Sequence, residues 1–215
     1  LEVGCGRGSL SAYFADEGWE CTLIDLAPKA IQTAKTLFNE QGLKASFDVG
    51  DCLDLPYEES SFDLVFSIGL LEHFEEIEKV INEQFRILAP GGLFIGYVVP
   101  HFSENVQTQF EWVNDLLKSL LPEEASEASF GKTKVYRSDS LSPRYLDVMT
   151  KLGFIELGYS GAYPLPMVSH STDFPFTLLP PEAERSLVKT FENWLDEREL
   201  KTGEDPWLCA EDEGQ

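Results

Sequence analysis

The first residues whose types and spacing suit chemistry are Glu2-Val3-Gly4-Cys5-Gly6-Arg7-Gly8, at the start of the chain. Glycines at alternate positions, after an apolar run and before a helix, remove Cβ atoms where a ligand must lie against the backbone. A helix opening at Ser9 would point its unpaired N–H groups at that ligand. A dinucleotide fingerprint, G-x-G-x-x-G, would need glycine at position 9, where Ser9 stands, so the loop is less suited to a pyrophosphate. Asp25 follows 17 residues after Gly8 and ends the apolar run Cys21–Asp25. Its carboxylate can accept from both hydroxyls of a ribose, or it can cap the helix that begins near Pro28. Gly50-Asp51-Cys52 ends a third run. Asp51 there can accept from an adenine amino group or serve as a turn residue.

Histidine is the other residue type with chemistry near neutral pH. His73, in Leu71-Glu72-His73-Phe74, follows the fourth apolar run and can act as a base on an acceptor or as loop architecture. His101 follows the fifth run at the same sheet edge, and His170 lies in a proline-rich stretch that suits a surface position or a lid. Cys5, Cys21, Cys52 and Cys209 form no CxxC pair and have no histidine at metal-ligand spacing, so no metal site is expected. Reduced thiols in a cytoplasmic protein are expected.

These residues must be placed by alternating strands and helices. Leu1–Val3 reads as a buried strand end and Ser9–Glu17 as a helix with Leu10, Tyr13 and Phe14 inward, closed by Gly18. Strands are expected at Cys21–Asp25, Ala45–Val49, Phe62–Ile68 and, after the Pro90-Gly91-Gly92 turn, Leu93–Val99. Between them, Pro28 opens a helix that runs from Ala30 to Gln41, and Glu75–Leu88 has helical spacing of Ile77, Val80, Ile81, Phe85 and Leu88. The order predicts a doubly wound, mostly parallel Rossmann-like α/β sheet with helices on both faces. Beyond Pro100, helices are expected at Glu104–Leu121, at Ser142–Lys151 with Ser142 as its cap, and at Glu182–Leu200, with a sixth strand at Phe154–Tyr159. Residues 1–161 are read as the core, and 162–215 as a cap or lid plus a C-terminal helix of the same domain. Leu1-Glu2-Val3 reads as the middle of a buried strand, so the chain is expected to begin inside the domain. No seventh strand is visible, and the C-terminus is expected to be cut too.

The formal net charge is −22, which repels DNA and RNA, and the small basic cluster Lys132, Lys134, Arg137 and Arg144 reads as a solvated loop. No run of about 18 apolar residues exists, so no membrane span is expected.

Taken together, LEVGCGRGS, LIDLAP, GDCLDLPYEESSFDLVFSIGLLEHF and ILAPGG resemble successive motifs of class I S-adenosylmethionine (SAM)-dependent methyltransferases. The likeness is greatest to the type 11 group, with the quinone-biosynthesis C-methyltransferases and many small-molecule methyltransferases. It covers roughly residues 1–100. It implies that Glu2, Gly4, Gly6 and Gly8 form the loop around the methionine part of SAM, with Glu2 acting indirectly or on the amino group. It implies that Asp25 holds the ribose and Leu26 flanks the adenine, while Asp51 and the backbone N–H of Cys52 meet the adenine edge. Ser67 and Ile68 would offer carbonyls near the sulfonium. The implied partner is a small-molecule methyl acceptor, attacked in line at O, N or C. No catalytic residue is compulsory, because the base is needed only if the acceptor must lose a proton. Tyr97, Phe102, Trp112, Tyr136, Tyr163, Met167 and Phe174 are candidate acceptor-pocket residues, and Tyr163–Pro181 reads as a pocket wall, a lid or an oligomer contact. A non-catalytic adenosyl-binding module and an NAD-dependent oxidoreductase are the competing readings.

Overall fold

A computed structural model describes residues 1–101, 108, 109, 112, 113, 115, 116, 119, 136–162, 164, 165 and 181–211. They fall in two compact units, the first formed by Leu1–Pro100 with Tyr136–Leu157. Its sheet is wholly parallel, in the order β3-β2-β1-β4-β5. The strands are β1 (Glu2–Val3), β2 (Thr22–Asp25), β3 (Ser46–Val49), β4 (Phe62–Ile68) and β5 (Leu88–Tyr97). The helices are α1 (Ser9–Asp16), α2 (Pro28–Gln41), α3 (Ile77–Ile87) and α4 (Ser142–Leu152), with a 3-10 turn at Leu71–His73.

Side chains that alternate along the strands sort the helices to the two faces. Leu23 of β2 packs with Ala12 of α1 and with Ile31, Ala34 and Phe38 of α2. Its neighbour Ile24 faces the other way, into a cluster with Val3, Val65 and Ile87. On that side Val80 and Ile81 of α3 meet Tyr145 and Val148 of α4. The sheet is therefore covered on both faces, which is why its central strands are apolar almost throughout.

Several expectations differ from what the chain does. Leu10 and Tyr13 of α1 are exposed, and the helix buries Ser11 and Ala12 instead, Ser11 on the Glu2 carboxylate and Ala12 in the cluster with Leu23. The Pro90-Gly91-Gly92 turn lies within β5: pairing jumps from Phe62 with Leu88 to Leu64 with Leu93, so the turn bulges out of a continuing ladder. Backbone dihedrals put Leu141, not Ser142, at the cap position of α4. Phe154–Tyr159 forms no strand: Glu156 has φ of 54° and Ile155 and Tyr159 are exposed, a conformation that cannot continue a ladder. Phe154 turns inward instead, with its ring against Phe85 and Phe94.

In the second unit, β6 (Gly161–Ala162) pairs antiparallel with β7 (Leu208–Cys209). The helix α5 (Pro181–Thr202) buries Phe191 and Leu195 with Leu165. Trp112 and His101 belong to this unit and are both exposed. Phe102, Tyr163, Met167, His170 and Phe174, with most of the Tyr163–Pro181 stretch, lie outside the described residues. Among the described residues no helix is long and apolar enough to cross a membrane.

Candidate active site

From β1 the chain winds outward to β2 and β3, then returns to place β4 on the other side of β1. Such a reversal opens a crevice at the carboxyl ends of the two central strands. The glycine loop after β1, Asp25 at the end of β2, Asp51 after β3 and Ser67–Gly69 at the end of β4 all stand at that edge.

The loop is fastened to β2. Gly4 and Cys5 donate their N–H groups to the Ile24 carbonyl at 2.9 and 3.0 Å. Gly6 N–H donates to Asp25 Oδ2 at 2.9 Å, and Ala27 N–H to Oδ1 at 2.8 Å. Asp25 thus aligns the glycine loop and the entry to α2 at once. The second bond is an Asx-turn contact two residues along the chain; the cap position of α2 is Ala27, not Asp25, and has no side-chain cap bond. A carboxylate oxygen has two lone pairs, so each keeps capacity for a further donor.

Gly4, Gly6 and Gly8 all have positive φ, 70°, 54° and 72°. Their surroundings differ. A Cβ on Gly8 would lie 2.4 Å from Leu23 Cδ2, and one on Gly6 would meet nothing within 4 Å. Gly8 is therefore needed for the close approach of loop, β2 and α2, while Gly6 borders open space beside Asp25.

Glu2 does not reach the crevice. It is buried, and its Oε2 accepts from Ser11 N–H at 3.3 Å and from Ser11 Oγ at 2.5 Å, tying β1 to α1. Burial raises its pKa above the usual carboxylate value, against the lowering effect of those bonds. Leu26 is 70% exposed, as a residue that would flank a planar base can be. Asp51 Oδ1 accepts from Leu53 N–H at 2.9 Å, so the turn role is present whatever else the side chain does. Cys52 is half-buried, and burial lifts its thiol to about 11; Cys5 is pushed up to about 12 for the same reason. Both stay protonated and unreactive at neutral pH. Ser67 is fully buried and Ile68 is partly exposed at the end of β4.

His73 Nδ1 lies 2.8 Å from the Tyr136 carbonyl, which can only accept, so that nitrogen carries a proton. Nε2 is 3.9 Å from Glu72 Oε1. Both ring nitrogens therefore face the protein. Glu72 has no accessible surface, and neither of its carboxylate oxygens has a hydrogen-bond partner among the described residues. Burial raises its pKa, with Arg137 and His73 opposing. The strap from Tyr136 to Ser140 is laced over this turn. Ser138 N–H donates to the Glu72 carbonyl at 2.8 Å, and Arg144 reaches Ser138 Oγ at 2.9 Å and the Glu75 carbonyl. Tyr136 is partly exposed there, and Tyr97 is half-buried at the end of β5.

Reading the sequence missed Ser11, Glu72 and the pair Glu83 and Arg86. A hydroxyl on the buried side of a short helix was a signal for the first. A lone arginine three residues after a glutamate, just before the Leu88 strand, was a signal for the last.

Residues 1–96 match the sequence profile of the methyltransferase domain family. This part of the chain is similar to methyltransferase domains in sequence. The domain is 44% identical over 94 residues to norajmaline N-methyltransferase of Rauvolfia serpentina, covering 42% of this chain and 32% of that protein. It is 44% identical over 98 residues to the chloroplastic tocopherol O-methyltransferase of Arabidopsis thaliana, covering 44% of this chain and 28% of that protein. The matched part thus spans about a third or less of these curated relatives. A solved putative methyltransferase from Bacillus halodurans shares the fold, with a TM-score of 0.55 at 18% identity over 76% of this chain and 64% of that one.

Proposed function

We propose that the protein is a SAM-dependent methyltransferase that transfers a methyl group to O, N or C of a small-molecule acceptor. One observation carries this reading: the Asp25 carboxylate, held by Gly6 N–H at 2.9 Å, stands beside the open space at Gly6. In this role Asp25 accepts from the ribose hydroxyls and Gly4, Gly6 and Gly8 leave room for the methionine part. Leu26 flanks the adenine, while Asp51 and the Cys52 N–H meet its edge. Glu2 supports the loop from behind through Ser11, and Ser67 and Ile68 line the floor with backbone carbonyls. When bound, SAM supplies an electrophilic methyl group, so the chain's task is to hold an acceptor atom in line and exclude water. The Nδ1 bond to the Tyr136 carbonyl favours an architectural role for His73; His101 is the other candidate base. The net charge of −22 supports a small-molecule acceptor over a nucleic acid. Cysteines that form no CxxC pair support a reducing, cytoplasmic setting.

Calorimetric titration with S-adenosylhomocysteine and, separately, NAD tests the cofactor. Binding of the first and not the second is expected; the reverse result would defeat the proposal. Incubation with labelled SAM and a panel of small hydroxy, amino and phenolic acceptors tests catalysis. Tight binding with no transfer across that panel would favour a non-catalytic adenosyl-binding module.

A further inference from the structure

The segment between β3 and β4 carries Asp51, and two side chains of α3 hold it from outside. Arg86 donates from Nη1 to the Tyr57 carbonyl at 2.7 Å and from Nη2 to the Leu55 carbonyl at 2.9 Å. Glu83, one turn earlier, accepts the Leu55 N–H at 3.1 Å. It also receives Arg86 Nη2 at 2.8 Å and Nε at 3.1 Å. Only a guanidinium has the fixed fork of donors to reach two carbonyls and a carboxylate together. The two side chains are only 27% and 16% exposed, so water screens the pair weakly. Arg86 in turn holds Glu83 below the usual carboxylate range.

The same segment is closed at other points. Tyr57 OH donates to Asp48 Oδ2 on β3 at 3.0 Å, and its ring meets Phe62 edge-on with centroids 5.0 Å apart. At its start, Leu53 N–H donates to Asp51 Oδ1 at 2.9 Å and Asp54 N–H to the Asp51 carbonyl at 3.1 Å. Asp51 and Leu53 are exposed and Cys52 between them is half-buried against the core, so the nearest fully buried residue of this segment is Leu55, which the clamp grips at both N–H and carbonyl.

We propose that Glu83 and Arg86 are positioning residues for base recognition: by pinning Leu55 and Tyr57 they fix where the Asp51 carboxylate meets a purine. This rests on the adenosine reading of the site. Neither residue touches the base. Ordering a loose turn costs conformational entropy each time a ligand binds, and a turn already ordered avoids that cost. More telling is selectivity. A carboxylate held still accepts from a 6-amino group and repels a 6-oxo group; one that wanders can turn away from either.

The test is calorimetric titration of wild type, Arg86→Ala and Arg86→Lys with S-adenosylhomocysteine and S-inosylhomocysteine, below the unfolding range of each protein. Hydrogen exchange of the peptide spanning residues 51–57 is measured alongside. Wild type is expected to prefer the adenine compound by about tenfold or more, the scale of one unsatisfied polar contact. In Arg86→Ala that ratio should fall toward one while exchange in 51–57 rises, and Arg86→Lys should lie between. If Arg86→Ala does not fold, Arg86→Lys decides. Both affinities falling by one common factor, with the ratio kept, would make the clamp a structural tie only and overturn the proposal. Wild type that binds neither compound would defeat the adenosine reading, and the proposal with it.

Discussion

Gly6→Ala and Gly8→Ala add the same methyl group two residues apart in one loop, and the structure assigns them different consequences. Both positions have left-handed φ, 54° and 72°, which costs an L-residue about 1–2 kcal/mol. Alanine returns about 0.4–1 kcal/mol by restricting the unfolded chain, equally at both sites. Contacts then separate them. The new Cβ at Gly8 lies 2.4 Å from Leu23 Cδ2 and 3.3 Å from Ala34 Cβ. Leu23 is fully buried among Ala34 and Phe38 and has nowhere to swing, so overpacking adds about 1–3 kcal/mol. Gly8→Ala should therefore destabilise by about 1–4 kcal/mol net, out of a typical 5–15. Gly6→Ala should cost about 1.6 kcal/mol or less, since its Cβ meets no atom within 4 Å. Its penalty should appear in binding instead, where the methyl occupies the space proposed for the cofactor. Urea unfolding followed by tryptophan fluorescence gives the stabilities, and titration with S-adenosylhomocysteine gives the affinities. Equal loss of stability in the two variants would refute the assigned difference in packing, and a Gly6→Ala protein that binds as wild type does would refute the cradle.

Three further outcomes are expected. Asp25→Ala should weaken S-adenosylhomocysteine binding by about 1–3 kcal/mol in calorimetry, the scale of lost polar contacts, and unchanged affinity would remove the ribose role. Ser11→Ala removes the hydroxyl donor from the buried Glu2 carboxylate and leaves it only the longer bond from the backbone N–H of residue 11, and should cost about 1–3 kcal/mol in urea unfolding; a neutral effect would mean Glu2 finds other partners. Glu72→Gln should flatten the pH dependence of stability. Burial raises the Glu72 pKa above its ordinary 4.5, so the folded state holds the proton more tightly than the unfolded one. Its contribution is complete below pH 4.5 and is lost as pH rises through the higher folded value. Urea midpoints of wild type should thus fall relative to Glu72→Gln from pH 4.5 upward, and parallel profiles would exclude an uncompensated buried carboxylate.

The sheet was legible because parallel strands buried on both faces must be apolar runs, and FDLVFSI stands out at its exact bounds, Phe62–Ile68. The loop was legible because alternate glycines before a helix have few other uses. Periodicity failed where local geometry overrode it. Residues Phe154–Tyr159 alternate like a strand, yet the left-handed φ of Glu156 ends any ladder. The Pro90-Gly91-Gly92 turn looked like a boundary and is a bulge, because the pairing of Phe62 with Leu88 lies before it. What no single-residue pattern carried were the ties that cross elements: Glu2 to Ser11, His73 to Tyr136, Arg86 to Leu55 and Tyr57. Each joins a residue at or near the crevice to a partner nine to sixty-three positions away, and only folding brings the two together. The glycine loop and Asp25 therefore announce what kind of ligand the edge can hold. How firmly the edge is held depends on side chains whose types, a serine, a glutamate and an arginine, are ordinary until their partners are known. Variants at those partners should accordingly alter ligand selectivity and stability without changing any motif residue.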